Sequence, residues 1–289
     1  MARRDTGFSH LIGALDCTAA IHNAPTPTVA SWLPAGLSIQ PAPTAPTGTH
    51  PYCVAYIRTD PASWTLVPFV KVHIRAMALI VLNVYITGLT RGYPGPYAYV
   101  LRWWSAKDRR VRLGGKLWGL PAADAPLIEP LSRVASRVEV AGRIKMEVRD
   151  HGEIPEWPKL RELGQLLQVP MLTTRPNGQL AVVGMYWNLS DADMRACETK
   201  LEVLPAALPT GAIIDSAGLT CQMDGTRDMA TGGTFRFGSL CTMTRAGTPD
   251  RDWSPWKAGP RFRLRMDLSG HDVGPVADRK RTESGLTGD

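Results

Sequence analysis

Proline and glycine punctuate this chain from end to end. The 24 prolines and 27 glycines are spread through 289 residues. A proline inside a helix removes a hydrogen bond and clashes with the turn before it. Long helices are therefore excluded, and the chain must be built from short strands joined by turns. The strand candidates agree. Tyr52 to Arg58, Ala98 to Trp104, Gln179 to Asn188 and Thr234 to Thr244 are rich in β-branched and aromatic residues. Val67 to Thr87 is similar but too long for one strand, so it contains a bend. Ser136 to Val148 alternates on both sides of Ala141-Gly142 and reads as a hairpin. Arg109 to Leu117 is read as a strand that pairs back on Ala98 to Trp104 across Ala106-Lys107-Asp108. Helix signals are few. They are Thr28 to Leu33, Pro158 to Leu167 with leucines at helical spacing, and Ser190 to Lys200 with a serine N-cap and an acidic first turn. The expected fold class is mainly β, an antiparallel barrel or sandwich with few short helices. A single domain over residues 1–249 is expected, followed by a flexible tail over 250–289, where periodicity is lost.

Several function classes drop out on composition and motif. No uncharged apolar run reaches about 18 residues, and Ala76 to Leu89 reads as a buried strand. The basic N-terminus lacks the apolar stretch of a secretion signal. Five scattered cysteines, none spaced C-x-x-C, point to free thiols in the cytoplasm and argue against a disulfide framework or a zinc site. The six histidines never stand at metal-ligand spacing. The signatures for dinucleotides, P-loop nucleotides, serine hydrolases and zinc proteases are absent. No cofactor and no metal is expected. The net charge of +7 is concentrated between Arg102 and Lys116, beside Trp103-Trp104. A solvated hairpin face explains that patch more simply than nucleic acid. The expected partner is a small hydrophobic or anionic organic substrate, without a membrane, and homo-oligomerisation is left open.

The run LGGKLWGLPAA, Leu113 to Ala123, crowds three glycines and a proline around one lysine and one tryptophan. Glycine weakens a strand, so the run must serve something other than pairing. Other segments precede it in a telling order. They are Trp32-Leu33-Pro34-Ala35-Gly36-Leu37-Ser38-Ile39, then Val70 to Met77, then Gly95-Pro96-Tyr97-Ala98-Tyr99. Together with Gly114 to Pro121, their order and spacing resemble the acetoacetate decarboxylase family, over roughly residues 20 to 150 and more weakly to about 245. The resemblance implies a cone-like barrel of antiparallel strands around an apolar pocket. In the family, the first of two lysines after the proline forms an imine with a ketone, and the second lowers its pKa. Those positions here are Ala122 and Ala123. The family's arginine-glutamate pair becomes Gly115-Lys116, and a further glutamate becomes His73. The resemblance thus carries the fold and not the imine.

The remaining residues able to do proton chemistry are Lys116, His73 and Tyr97. Lys116 facing inward would be an acid, a base or a new imine-forming amine; facing outward, it joins the basic face. His73 shares a strand face with Lys71 and Arg75, which suits a solvated face or a cation-lined pocket. Tyr99 shares a face with Tyr97. Trp118 could serve as an aromatic platform, Arg91 could hold an enolate oxygen, and Tyr85 joins them as a candidate substrate contact. The function this supports is a cofactor-independent lyase or isomerase. It would be a cyclase, dehydratase or pericyclase acting on a hydrophobic polyketide- or terpenoid-like intermediate of secondary metabolism. The alternatives are a β-keto acid decarboxylase working through Lys116 and a non-catalytic barrel that carries a small ligand.

Overall fold

The computed structural model describes residues 10–39, 45–59, 62–67, 70–74, 77–86, 96–105, 112–113, 115–116, 119–124, 127–128, 135–150, 169–174, 178, 180–188, 195–224 and 233–247. Their structure is almost all strand. In chain order the first elements are β1 (His10–Pro25), α1 (Thr26–Ala30), β2 (Thr49–Thr59), β3 (Ala62–Val67), β4 (Val70–Ile74), β5 (Met77–Ile86) and β6 (Tyr97–Ser105). There follow β7 (Ala122–Asp124), β8 (Leu127–Ile128), β9 (Ala135–Val140), β10 (Ile144–Asp150) and β11 (Met171–Thr174). The last are β12 (Leu180–Asn188), β13 (Arg195–Val203), a single 3-10 turn at Pro205–Ala207, β14 (Leu219–Asp224) and β15 (Gly233–Gly247).

The mainly-β expectation holds, and the pairings return on themselves. The path runs β1, β2, β5, β6, β11, β12, β15 and back to β1. Closure rests on β15, whose 15 residues pair with β1 over most of their length and with β12 over the second half. The expected all-antiparallel order needs one correction. β6 pairs antiparallel with β5 along one edge, and its other edge pairs in parallel with β11 at Ala98–Tyr99 and with β7 at Trp103–Ser105. A second sheet, β14-β13-β10-β9-β8, grows from β13, which bridges to β15 through Arg195 and Ala196.

Two segments fold differently from their sequence signals. Arg112, Leu113, Gly115 and Lys116 are helical, so the strand expected over Arg109 to Leu117 does not form there. Three glycines and a proline within nine residues leave too little strand propensity to hold a ladder. Arg195 to Lys200, the second half of the expected helix at Ser190, lies in β13. Cys197, Thr199, Leu201 and Val203 alternate inward there, and burial on a sheet overrides weak helix signals. The helix at Pro158 and the tail beyond residue 249 lie outside the described residues. The bend within Val67 to Thr87 is real: β3 ends, β4 follows, and β5 starts at Met77. The hairpin at Ala141-Gly142 also forms, with Gly142 at φ +67° where a side chain would be strained.

The core sits on one face of β1, β2, β5 and β6. Ala20, Tyr52, Val54, Tyr56, Ile80, Leu82, Tyr97, Tyr99 and Trp104 point there, together with Val29 of α1 and Trp32 just after it. They meet Val138, Val140, Ile144, Met146, Leu201 and Val203 from the second sheet. Burying each large side chain contributes about 1.5–3 kcal/mol. The second sheet's other face carries ion pairs such as Lys145–Glu147 at 3.1 Å and Lys200–Glu202 at 3.4 Å. These exposed pairs keep that face solvated and contribute little to stability.

Candidate functional site: the Ala122 face

The same strands bury a second, different face. Because side chains alternate, the residues between the core positions point the other way. Strand register lines them up. Ala19, Ala55, Val81, Trp103 and Ala122 form one row across five strands. Ile21, Cys53, Asn83 and Val100 form the next, and Cys17, Ile57, Leu79 and Ser105 the one beyond. The rows stay aligned because β6 carries one extra residue, Leu101, opposite the step from Leu82 to Asn83. This bulge flips the parity of β6 midway. Without it Trp103 and Ser105 would face the core.

This face is small-residued and buried. Ala19, Cys53, Val81 and Ser105 are all nearly inaccessible. Ala122 is buried on it, while Ala123, opposite Trp104 on the other face, is itself exposed at the end of the sheet. Above Ala122 lies the glycine-rich run. The backbone N–H of Gly119 donates to the Lys116 carbonyl at 2.9 Å, and that of Leu120 to the Gly115 carbonyl at 2.8 Å. Gly119 closes this turn at φ +82°. The Thr173 hydroxyl donates to the Gly119 carbonyl at 2.9 Å and ties the turn to β11. A Cβ built on Gly115 would stand 2.7 Å from the Cβ of Ala122. The turn's main chain therefore occupies the space directly beside the Ala122 side chain. The glycine permits that approach, and a long side chain at 122 would need the room the turn has taken.

Three thiol and phenol groups on this face interact. The side chains of Cys53 and Tyr85 hydrogen-bond to each other, and burial is the main influence on both. It pushes the Cys53 thiol up to about 12 and the Tyr85 phenol well above its usual range. The neighbouring Cys53 and Cys17 raise Tyr85 further. Both groups stay protonated at neutral pH, so they offer hydrogen-bond donors and not bases. Asn83 Oδ1, Trp103 Nε1 and Ser105 Oγ are buried on the same face without a hydrogen-bond partner among the described residues. No Lys, Arg, Asp or Glu with a described side chain points onto it, and by register Asp124 of β7 continues the row of Ser105.

The residues singled out in the sequence divide. Tyr85 stands on the Ala122 face. Tyr97 and Tyr99 do not: they belong to the core face, where Tyr97 is fully buried and the Tyr99 hydroxyl pairs with Thr174 Oγ1 at 2.8 Å. Arg102 also lies on that side and donates to the Leu208 carbonyl at 3.0 Å. Lys116 is exposed on the helical turn, and His73 is exposed on β4, which among the described residues pairs with β3 alone, at the end of the strand order. The structure does not bring either to the Ala122 face. Trp118 and Arg91 lie outside the described residues. Cys17, Cys53, Asn83, Trp103 and Ser105 were missed. Their signal was parity: Cys53, Asn83 and Ser105 each stand at an alternate position of an otherwise largely apolar strand. Among the described residues, no three His, Cys, Asp or Glu side chains gather as metal ligands. No helix among them is long and apolar enough to cross a membrane.

No family model matches this sequence, and no curated protein does. Solved structures do resemble it. An acetoacetate decarboxylase from Legionella pneumophila superposes with a TM-score of 0.52 at 12% identity, covering 84% of this chain and 86% of its own. A second acetoacetate decarboxylase gives 0.52 at 6% identity, over 82% and 86%. The enduracididine biosynthesis enzyme MppR, in complex with the condensation product of pyruvate and imidazole 4-carboxaldehyde, gives 0.50 at 14% identity, over 85% and 90%. At such identities the likeness is one of fold: this chain has the acetoacetate decarboxylase-like fold.

Proposed function

We propose that this chain, built on an acetoacetate decarboxylase-like fold, is a cofactor-independent isomerase or cyclase whose substrate binds on the Ala122 face. The observation that carries the reading is the pair Gly115 and Ala122: the imine lysine's place holds a methyl group, and a glycine turn is packed against it. Without an amine there, what this face offers is shape, exclusion of water and protonated donors. That inventory favours one part of the lyase and isomerase range. Dehydration of a hydroxy ketone needs a base to take a carbon-bound proton, and Cys53 and Tyr85 are both held in their acid forms. A cyclisation or pericyclic closure needs none. The substrate's own π electrons form the new σ bond, the formula is unchanged, and nothing leaves.

The role of each group follows. With the Cys53 thiol donating to its oxygen, the Tyr85 hydroxyl is left to donate to the substrate carbonyl oxygen and draws electron density from the conjugated system. Val81, Val100 and Ala55 hold the hydrocarbon part in a reactive shape, where orientation supplies much of the rate. Such a substrate is a hydrophobic, conjugated carbonyl compound of the polyketide or terpenoid kind. Decarboxylation through Lys116 is not taken further, because Lys116 is exposed. The test is a panel of polyenones and β-keto acids, read for products of unchanged mass and new retention time. Tyr85→Phe should slow such a reaction by about 10²-fold, as loss of one oriented donor does elsewhere. Loss of carbon dioxide from the keto acids, or full activity in Tyr85→Phe, would sink the reading.

A further inference from the structure

The unpartnered polar atoms on the Ala122 face describe what should bind there. Asn83, Trp103 and Ser105 are 7%, 5% and 1% exposed, and each leaves one buried polar atom unpaired. A buried polar atom left without a hydrogen bond loses its bonds to water and gains none in return. Such atoms also occur on the core face, at His22 Nε2 and Trp32 Nε1, but the three here stand together on the patch beside Ala122. They are neighbours. Trp103 and Ser105 are successive same-face residues of β6, about 7 Å apart. Asn83 pairs with Val100 across the bulge, so it lies diagonal to Trp103. Val81, the direct partner of Trp103, separates them with an apolar surface.

We infer that Asn83, Trp103 and Ser105 form a recognition site for a neutral carbonyl compound that also carries a hydroxyl group. An indole N–H can only donate, and a serine hydroxyl can donate. These two match a carbonyl oxygen. The Asn83 Oδ1 acceptor requires a donor from the ligand, and a hydroxyl or enol supplies it. The ligand is not an anion, because no cation with a described side chain faces the site, and a buried unpaired carboxylate would cost far more than these bonds return. Of the hydrophobic or anionic substrate expected from the sequence, this takes the hydrophobic alternative. The inference rests on the reading of the Ala122 face as the substrate surface, and it adds a second oxygen-bearing end, distinct from the carbonyl that Tyr85 activates.

The test uses the full chain and three probes: maltol, a neutral hydroxy-enone; 2-cyclohexen-1-one, which lacks the hydroxyl; and sorbate, a conjugated carboxylate. Titration calorimetry should show maltol binding more tightly than either control. Ser105→Ala and Trp103→Phe should each weaken maltol by about tenfold or more. Asn83→Leu should bring maltol down to the level of 2-cyclohexen-1-one. In ligand-free protein, Ser105→Ala should keep or raise Tm, because it removes a polar atom that has no partner. Sorbate binding best, or maltol affinity unchanged in all three variants, would overturn the site. So would a Tm lowered by Ser105→Ala, since the hydroxyl would then be paired. Because binding is read without turnover, maltol recognition lost in the variants supports this site even if no isomerised product is found, and that second result alone would fail the catalytic reading.

Discussion

The two faces of β2, β5 and β6 are made from the same strands and could hardly differ more. On the core face stand Tyr52, Tyr56, Ile80, Leu82, Tyr97 and Trp104, packed against a second sheet. On the other stand Cys53, Ala55, Val81, Asn83, Ala98 and Ser105. Odd and even positions have been given separate tasks. Large side chains interlock where the fold must be held. Mostly smaller ones, set around Tyr85 and Trp103, line the face where we place the substrate, and unpaired polar atoms occur on both faces, His22 Nε2 and Trp32 Nε1 being on the core side. Unpaired buried groups reduce stability, and the interlocked face can absorb that reduction.

The contrast can be broken at its strongest point first. Leu82→Ala, on the core face, should destabilise by about 2–5 kcal/mol in urea unfolding, the range for a buried leucine. A loss under about 1 kcal/mol would mean that this face is not the interlocked one. The next effect is one of pH. His22 lies on the core face, its ring centroid 6.0 Å from that of Tyr52, and burial lowers its pKa from 6.5 to about 4. The unfolded chain therefore takes up a proton between pH 6.5 and 4 that the folded chain refuses. Stability should fall as pH drops through that window, by about 3 kcal/mol at full protonation of the unfolded form. His22→Leu should flatten the curve there. Some slope will remain from His50, which burial also lowers. A curve of unchanged slope in His22→Leu would place the titration elsewhere. The smallest effect concerns the turn beside Ala122. Gly115→Ala puts a Cβ 2.7 Å from another and should cost about 1–3 kcal/mol. Adding Ala122→Gly should return most of it, and additivity of the two changes would show that they do not touch.

How much of this was legible in the sequence follows from what each signal measures. Alternating β-branched runs such as Tyr52 to Arg58 and Ser136 to Val148 became strands, because period-two burial is local and strong. Helical signals at Ser190 did not survive, because β13 wins its residues by pairing with β10 and β14, which no local window sees. β1 and β11 carried no distinct signal of their own. The fold itself was legible through the order of Trp32 to Ile39, Gly95 to Tyr99 and Gly114 to Pro121. The site was legible only as an absence, the alanines at 122 and 123. Lys116 and His73 drew attention because they can move protons. What positions a side chain is the ladder, however. A one-residue bulge at Leu101 decides that Ser105 shares a face with Ala122, and no residue type announces it.

The central claim is that this chain keeps the acetoacetate decarboxylase-like fold while its substrate face works without a lysine. The direct measurement is borohydride reduction of the full chain in the presence of acetoacetate, followed by intact mass and peptide mapping. The account predicts a chain of unaltered mass, under conditions where an acetoacetate decarboxylase is labelled. A reduced adduct on any lysine, Lys116 above all, would contradict it.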